Sequence, residues 1–214
     1  MAKKESNFIT MVVSLFLVTL IASSALAFVY EMTKGPIAEA KRLKKANAIR
    51  EVVPDFDNDP GSEMRKQATE RDTLYYYLAM KGDQISGIAV ETYTYEGFSG
   101  LIKLMVGFLP DGSIYKIAVL EHQETPGLGD KMENQKSIDK TSGQSWSSQF
   151  DGLNPGSLLL KVRQDNGEVD AISAATISSR AYCDAVQRAY DGLHTVLAEQ
   201  ETETENSIDN EPVE

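Results

Sequence analysis

The chain has 214 residues, 42% of them apolar and 25% charged, the balance of a globular protein rather than a disordered one. Its formal net charge of −11 argues against nucleic-acid binding, which needs a basic surface to neutralise phosphates. One cysteine and two histidines exclude an internal disulfide and a four-thiolate cluster, and with no HExxH or CxxC they argue against a zinc site, so redox or transfer chemistry here needs an imported cofactor.

Residues 1–7 carry Lys3 and Lys4, and residues 8–30, Phe8 to Tyr30, contain no charge at all. At roughly 1.5 Å per residue that run spans about 34 Å as a helix, enough for a hydrocarbon core of about 30 Å. The two lysines favour a cytoplasmic N-terminus, with the rest of the chain on the extracytoplasmic or periplasmic side. Lys34, Lys41, Arg42, Lys44 and Lys45 vote the other way, but domains of this length translocate largely regardless of such charges. Ala25-Leu26-Ala27 also resembles a signal-peptide cleavage site, which leaves a released soluble protein as an alternative.

Residues 31–72 read as a helix and an irregular connector. Ile37, Ala40, Leu43, Ala46, Ile49 and Val52 fall on one face of a helix opened by Pro36 and closed before Pro54. Asp55 to Arg71 reads as a polar loop. A domain over residues 73–198 follows, in which Thr73–Met80, Gln84–Tyr95, Leu101–Phe108 and Ser113–Glu121 form an antiparallel meander of about four strands. Leu109-Pro110-Asp111-Gly112 turns the last hairpin. Leu158–Val162 reads as a further short strand and Asp170–Ile172 as another. Ala181, Tyr182, Ala185, Val186, Ala189, Tyr190 and Leu193 recur at helical spacing in a final helix. The expected class is α+β: one transmembrane helix, then an antiparallel sheet bracketed by helices. Residues 199–214 hold seven acidic and no basic side chains, which leaves −4 for the remainder, and read as a disordered tail.

Two stretches carry chemistry. In Asp170-Ala171-Ile172-Ser173-Ala174-Ala175-Thr176 a turn of small residues presents a hydroxyl at the start of the final helix. Backbone N–H groups and the dipole at a helix N-terminus suit a phosphate. The plainer reading is a helix cap. In Glu124-Thr125-Pro126-Gly127-Leu128-Gly129 the glycines let backbone approach a planar ring, and Leu128 offers an apolar cover. Glu124 and Thr125 either hydrogen-bond a ligand or hold the loop. Tyr95, Phe98 and Trp146 are ring-stacking candidates or core aromatics. His122 reads as structural, His194 as a surface or core residue, and Cys183 as a small buried one.

Asp170-x-x-Ser173-Ala174-Ala175-Thr176 resembles the D-x-x-[ST]-G-A-[ST] motif on which an FMN transferase esterifies FMN to the last residue, with Ala174 in place of the usual Gly. If the turn needs positive φ there, an alanine is strained. His122 to Gly129 resembles the H-x-E-T-P-G-L-G loop of FMN-binding domains, and Tyr95 to Ile102 their aromatic-Gly-aromatic-x-Gly strand. Such domains occur in the G subunit of Rnf-type electron transport complexes and the C subunit of sodium-pumping NADH:quinone reductases; the wording here is closer to the former.

The resemblance implies covalent FMN on Thr176, with Asp170, Ser173, Ala174, Ala175, Glu124, Thr125, Gly127, Leu128 and Gly129 around it, and no catalytic or metal-ligating residue. It implies an electron-carrying subunit of an ion-translocating ferredoxin/NAD oxidoreductase in the inner membrane. Its partners would be the other subunits, the lipid bilayer and, during maturation, the FMN transferase. The alternative is an anchored assembly module with this fold but no flavin.

Overall fold

The computed structural model describes residues 7–62, 64–69, 72–139 and 141–208, with side chains to residue 194. The chain forms two compact units, Met1–Lys44 and Lys45–Glu214.

Most of the first unit belongs to helix α1, Phe8–Val52. From Phe8 to Leu43 its large apolar side chains are exposed, and the helix is long and apolar enough to cross a membrane. The hydroxyls of Ser14, Thr19, Ser24 and Thr33 donate to carbonyls four residues earlier at 2.8–3.0 Å. Every one of those polar groups is thus satisfied within the helix, as hydrocarbon requires. The sequence places a break here, with a second helix opening at Pro36. Instead Pro36 lies inside one continuous helix. A proline removes a single N–H from the ladder, and the Ala-, Lys- and Glu-rich residues beyond it are strong helix formers that resume it.

The second unit begins at Lys45, ahead of the Thr73 start expected from the strand pattern. Five strands, β1 (Arg65–Ala68), β2 (Thr73–Lys81), β3 (Gln84–Gly97), β4 (Gly100–Phe108) and β5 (Ile114–His122), form an antiparallel meander in chain order. Strand β1 is an addition to the four expected. Arg-Lys-Gln-Ala has no strand propensity of its own and pairs because Thr73–Tyr76 offers an open edge.

Helix α2, Thr176–Ile208, covers one face of the sheet. Tyr182, Ala185, Val186, Ala189 and Leu193 meet Leu74, Tyr76, Ile88, Val90, Leu104, Val106 and Ile117 there. Each buried Leu, Ile or Val there contributes about 1.5–3 kcal/mol by leaving water. The Thr92 hydroxyl also donates to the Ala185 carbonyl at 2.9 Å, fixing the helix along β3. The helical backbone of α2 continues to Ile208, past Ala198, where the sequence suggests disorder. Glu and Gln propagate a helix already nucleated by packing. Residues 209–214 of the expected tail lie outside the described residues.

The opposite face takes the end of α1. Ala48, Ile49, Val52 and Val53 pack on Tyr77, Ala79, Ala89, Met105 and Ala118. Small residues make the close approach possible: a Cβ on Gly107 of β4 would lie 1.5 Å from the Val52 carbonyl oxygen. At the rim of this layer Lys45 pairs with Glu91 at 2.8 Å, and the Tyr77 hydroxyl donates to the same carboxylate at 3.2 Å. Burial, and then the Glu91 charge, push the Tyr77 phenol well above its ordinary range.

The segment from 123 to 175 is irregular, with 3₁₀ turns at Gly129–Met132, Asn134–Lys136, Trp146–Phe150 and Arg163–Asp165. Neither Leu158–Val162 nor Asp170–Ile172 is a strand. A parallel bridge between Val162 and Val169 replaces them, because this stretch folds back on itself.

Gly107→Ala is expected to destabilise the domain by about 3 kcal/mol or more, since backbone and not a mobile side chain blocks the Cβ. Thermal unfolding of the full-length protein in detergent, followed by circular dichroism, measures this.

Candidate functional site

The register of β3, β4 and β5 brings three remote stretches to one end of the sheet. Gly97 faces Gly100 across the β3–β4 hairpin, which leaves Phe98 and Ser99 at its tip. Ile102 faces His122, so the chain leaving β5 emerges beside that tip. The first turn of α2 arrives at the same place. A cavity of about 350 Å³ lies between them, lined by Phe98, Glu124, Thr125, Leu128, Gly129, Ala174, Ala175, Thr176, Ile177 and Ser178.

One wall is the loop after β5. Thr125-Pro126-Gly127-Leu128 is a type II turn: Leu128 N–H donates to the Thr125 carbonyl at 3.1 Å and Gly127 has φ 79°. Gly127 N–H also donates to Asp130 Oδ1 at 2.7 Å. Gly129 is needed for space, because a Cβ there would lie 2.6 Å from both Glu124 Oε2 and Ser178 Oγ. His122 braces the loop from behind. Its Nδ1 accepts Glu124 N–H at 3.1 Å, so in the neutral ring Nε2 carries the proton and donates to Glu133 Oε1 at 2.7 Å. Lys136 adds contacts to Glu133 at 3.3 Å and to Asp130 at 3.4 Å. Burial by itself would raise the Glu133 carboxyl, but the hydrogen bonds from His122 and Lys136 outweigh it and hold the group below the usual glutamate range.

The other wall is the turn into α2. Ala175 N–H donates to the Ile172 carbonyl at 2.9 Å, and Ala174 takes φ 61°, the left-handed conformation foreseen as a strain for alanine. The turn is anchored by Ser179 Oγ, which accepts Ile172 N–H at 2.9 Å, and the Ser179 hydroxyl and N–H both reach the Ala175 carbonyl at 3.0 Å. Thr176 begins the helix, half-buried. Among the described residues the N–H groups of Thr176, Ile177 and Ser178 have no acceptor, as the first turn of a helix leaves them.

Glu124 joins the walls. It is 5% exposed; Oε1 accepts Ser99 N–H at 3.0 Å and Oε2 accepts the Ser178 hydroxyl at 2.6 Å. Of the sequence-derived site residues, Glu124, Thr125, Leu128, Gly129, Ala174, Ala175 and Thr176 line the cavity, while Asp170, Ser173 and Gly127 do not. Gly127 and Ser173 shape the turns. Asp170 points to Arg163, pairing at 2.9 Å with both side chains 68% exposed. Its backbone is clamped by Gln149 Oε1 at 2.7 Å and Trp146 Nε1 at 2.6 Å.

Phe98 lines the cavity and is 67% exposed, whereas Tyr95 and Trp146 do not line it. Tyr95 is exposed and sits edge-on to Tyr93, and Trp146 packs on Phe150 and Tyr182. His194 is exposed and stacks against Tyr190. Cys183 is buried on α2; burial, ahead of the acidic neighbours, pushes its thiol up to about 12, and it is an inert packing residue. Sequence reading missed Ile177 and Ser178. The signal that could have found Ser178 is its hydroxyl two residues beyond Thr176 in the first turn of the helix.

Residues 97–191, which contain every part of this cavity, match the FMN-binding domain family, so the chain carries an FMN-binding domain. The G subunit of the ion-translocating oxidoreductase complex of Shewanella amazonensis is 36% identical over 179 residues, covering 79% of this chain and 80% of that protein. The same-named protein of Pasteurella multocida is 35% identical over 185 residues, with 82% and 88% covered, and that of Vibrio cholerae 31% over 181 residues, with 80% and 83%. The chain belongs to this family, the G subunits of ion-translocating oxidoreductase complexes.

Ala174→Gly is expected to stabilise the fold by about 0.5–1 kcal/mol. Left-handed alanine costs about 1–2 kcal/mol, and the glycine's extra unfolded-state freedom returns about 0.4–1 of it. Denaturant unfolding of the two proteins compares them. The depressed Glu133 adds stability that is complete above the usual glutamate pKa and fades as pH falls through its lower folded value. Glu133→Gln should therefore flatten the acid limb of a melting-temperature profile, with no flattening expected elsewhere in the range.

Proposed function

We propose that this chain is the electron-carrying flavoprotein subunit of a membrane-bound, ion-translocating ferredoxin/NAD oxidoreductase complex, with FMN held by a phosphoester to Thr176. One observation carries the reading. The three stretches whose wording resembles FMN-binding domains, far apart in sequence, meet at one cavity with Thr176 on its wall.

The residues present suit the group. Phe98, Leu128 and Ile177 give the cavity apolar, part-exposed walls for a flat ring. The three acceptor-less N–H groups of the first α2 turn, with the helix dipole, favour a phosphate at Thr176. The volume lies within the range of small-ligand sites, about 300–1,000 Å³. FMN when bound supplies one- and two-electron transfer. The chain's own part is to orient the group, exclude water from one side, and prevent its loss. A phosphoester link matters for a domain outside the cytoplasm, where lost FMN is hard to replace.

Helix α1 serves as the anchor in the inner membrane, with a cytoplasmic N-terminus and the flavin domain on the periplasmic side. The other subunits of the complex are the electron partners, and an FMN transferase installs the flavin. The names of the similar proteins, each a subunit of an ion-translocating oxidoreductase complex, support the assembly. A second reading, an anchored module without flavin, draws on Ala174, whose strained φ 61° departs from the glycine of the usual motif.

Co-expression with an FMN transferase decides between them. The intact mass should rise by one FMN less the water lost in forming the ester, and the band should fluoresce in a denaturing gel. Thr176→Ala should abolish both signals, and Thr176→Ser should retain them. Unmodified wild-type protein would leave only the flavin-free module, and a fluorescent Thr176→Ala protein would move the link elsewhere.

A further inference from the structure

Glu124 is a buried carboxylate on the wall of the cavity, and both of its oxygens are already occupied by the protein. Ser99 N–H at 3.0 Å can only donate, and the Ser178 hydroxyl at 2.6 Å completes the pair. Among the described residues no Lys, Arg or His side chain forms an ion pair with it. A buried charge without a cation needs another source of compensation. Here it is the positive end of α2: Ser178 is the third residue of the helix, and the acceptor-less N–H groups of its first turn lie next to it in sequence. Gly129 keeps the space clear, since any Cβ there would lie against the Glu124–Ser178 bond.

We infer that Glu124 is a positioning residue rather than a flavin ligand. Through Ser178 it fixes the helix turn that bears Thr176, and its charge lowers the reduction potential of the flavin. The inference rests on the reading of the cavity as a flavin site. The physical step is electrostatic. An electron delivered to the flavin adds negative charge unless a proton arrives with it, and a fixed carboxylate on the cavity wall opposes that addition. The hydrogen bond, meanwhile, ties the helix start to the loop that forms the opposite wall, so the cavity stands assembled before anything is attached.

The test uses the full-length chain, co-expressed with an FMN transferase and purified in detergent. Intact mass of the wild type comes first: no added FMN defeats the flavin reading itself, independently of Glu124. Glu124→Gln keeps the shape and removes the charge. Its midpoint potential, titrated spectroelectrochemically at mildly alkaline pH, should shift upward, while Ser178→Ala, which retains the carboxylate, should stay closer to wild type. An unchanged potential in a fully loaded Glu124→Gln protein overturns the charge role. Should Glu124→Gln take no flavin, restored loading in Glu124→Asp supports the role of the charge, and equal failure of both overturns it. The positioning role is read without flavin, in a Thr176→Ala background. Glu124→Gln and Ser178→Ala should each lower the melting temperature, and the double variant should fall less than the sum of the two. Additive losses overturn the latch.

Discussion

A buried carboxylate bonded only to the protein organises this domain. Glu124 is reached by a backbone N–H from the tip of one hairpin and by a hydroxyl from the first turn of the last helix, and the second of these bonds is buried. At the buried Ser178 bond, displacement of the helix leaves a buried polar group unsatisfied. That penalty, with the bond from Ser99, holds three chain segments, separated by scores of residues, in one arrangement. The glycine at 129 follows from it, because the bond needs the volume a side chain would take.

Behind this contact stands a second set of polar ties. His122 and Lys136 share Glu133, and Asp130 receives Gly127 N–H, so the loop on one side of the cavity is braced along its length. On the other side Trp146 and Gln149 grip the Asp170 backbone, and Ser179 grips Ile172. The turn that ends in Thr176 is therefore pinned at both flanks, which explains how Ala174 is kept in a left-handed conformation that an unconstrained alanine avoids. The threonine side chain needs no mobility to be presented; its position is a product of the surrounding bonds.

The sheet itself serves two different neighbours. Its α2 face is built of Leu, Ile, Val and aromatic side chains that interlock with the helix, whereas the face under the end of α1 sets alanine and glycine among Tyr77 and Met105. Large residues give area; small ones let a helix backbone come near. Alternation along β2, β3 and β4 supplies both surfaces from the same strands.

Much of this was written in the sequence. The uncharged run from Phe8 to Tyr30, the strands, the 3.6-residue rhythm of Ala181 to Leu193 and the glycine-rich loop from Glu124 to Gly129 are local patterns, and local physics determines them. The strain at Ala174 was legible there only as a condition, from the glycine that the resembled motif carries at that position. Other features belong to the tertiary structure alone. Strand β1 exists because β2 had an open edge, α1 runs through Pro36 because its neighbours carry the ladder past it, and Asp170 faces Arg163 rather than the cavity. The role of Ser178 is the clearest case. Read along the chain it is one more cap-forming serine; only the register of the sheet, which brings Glu124 across to it, turns it into the bond that closes the site, and register is a property of strands meeting, which no single stretch of sequence contains.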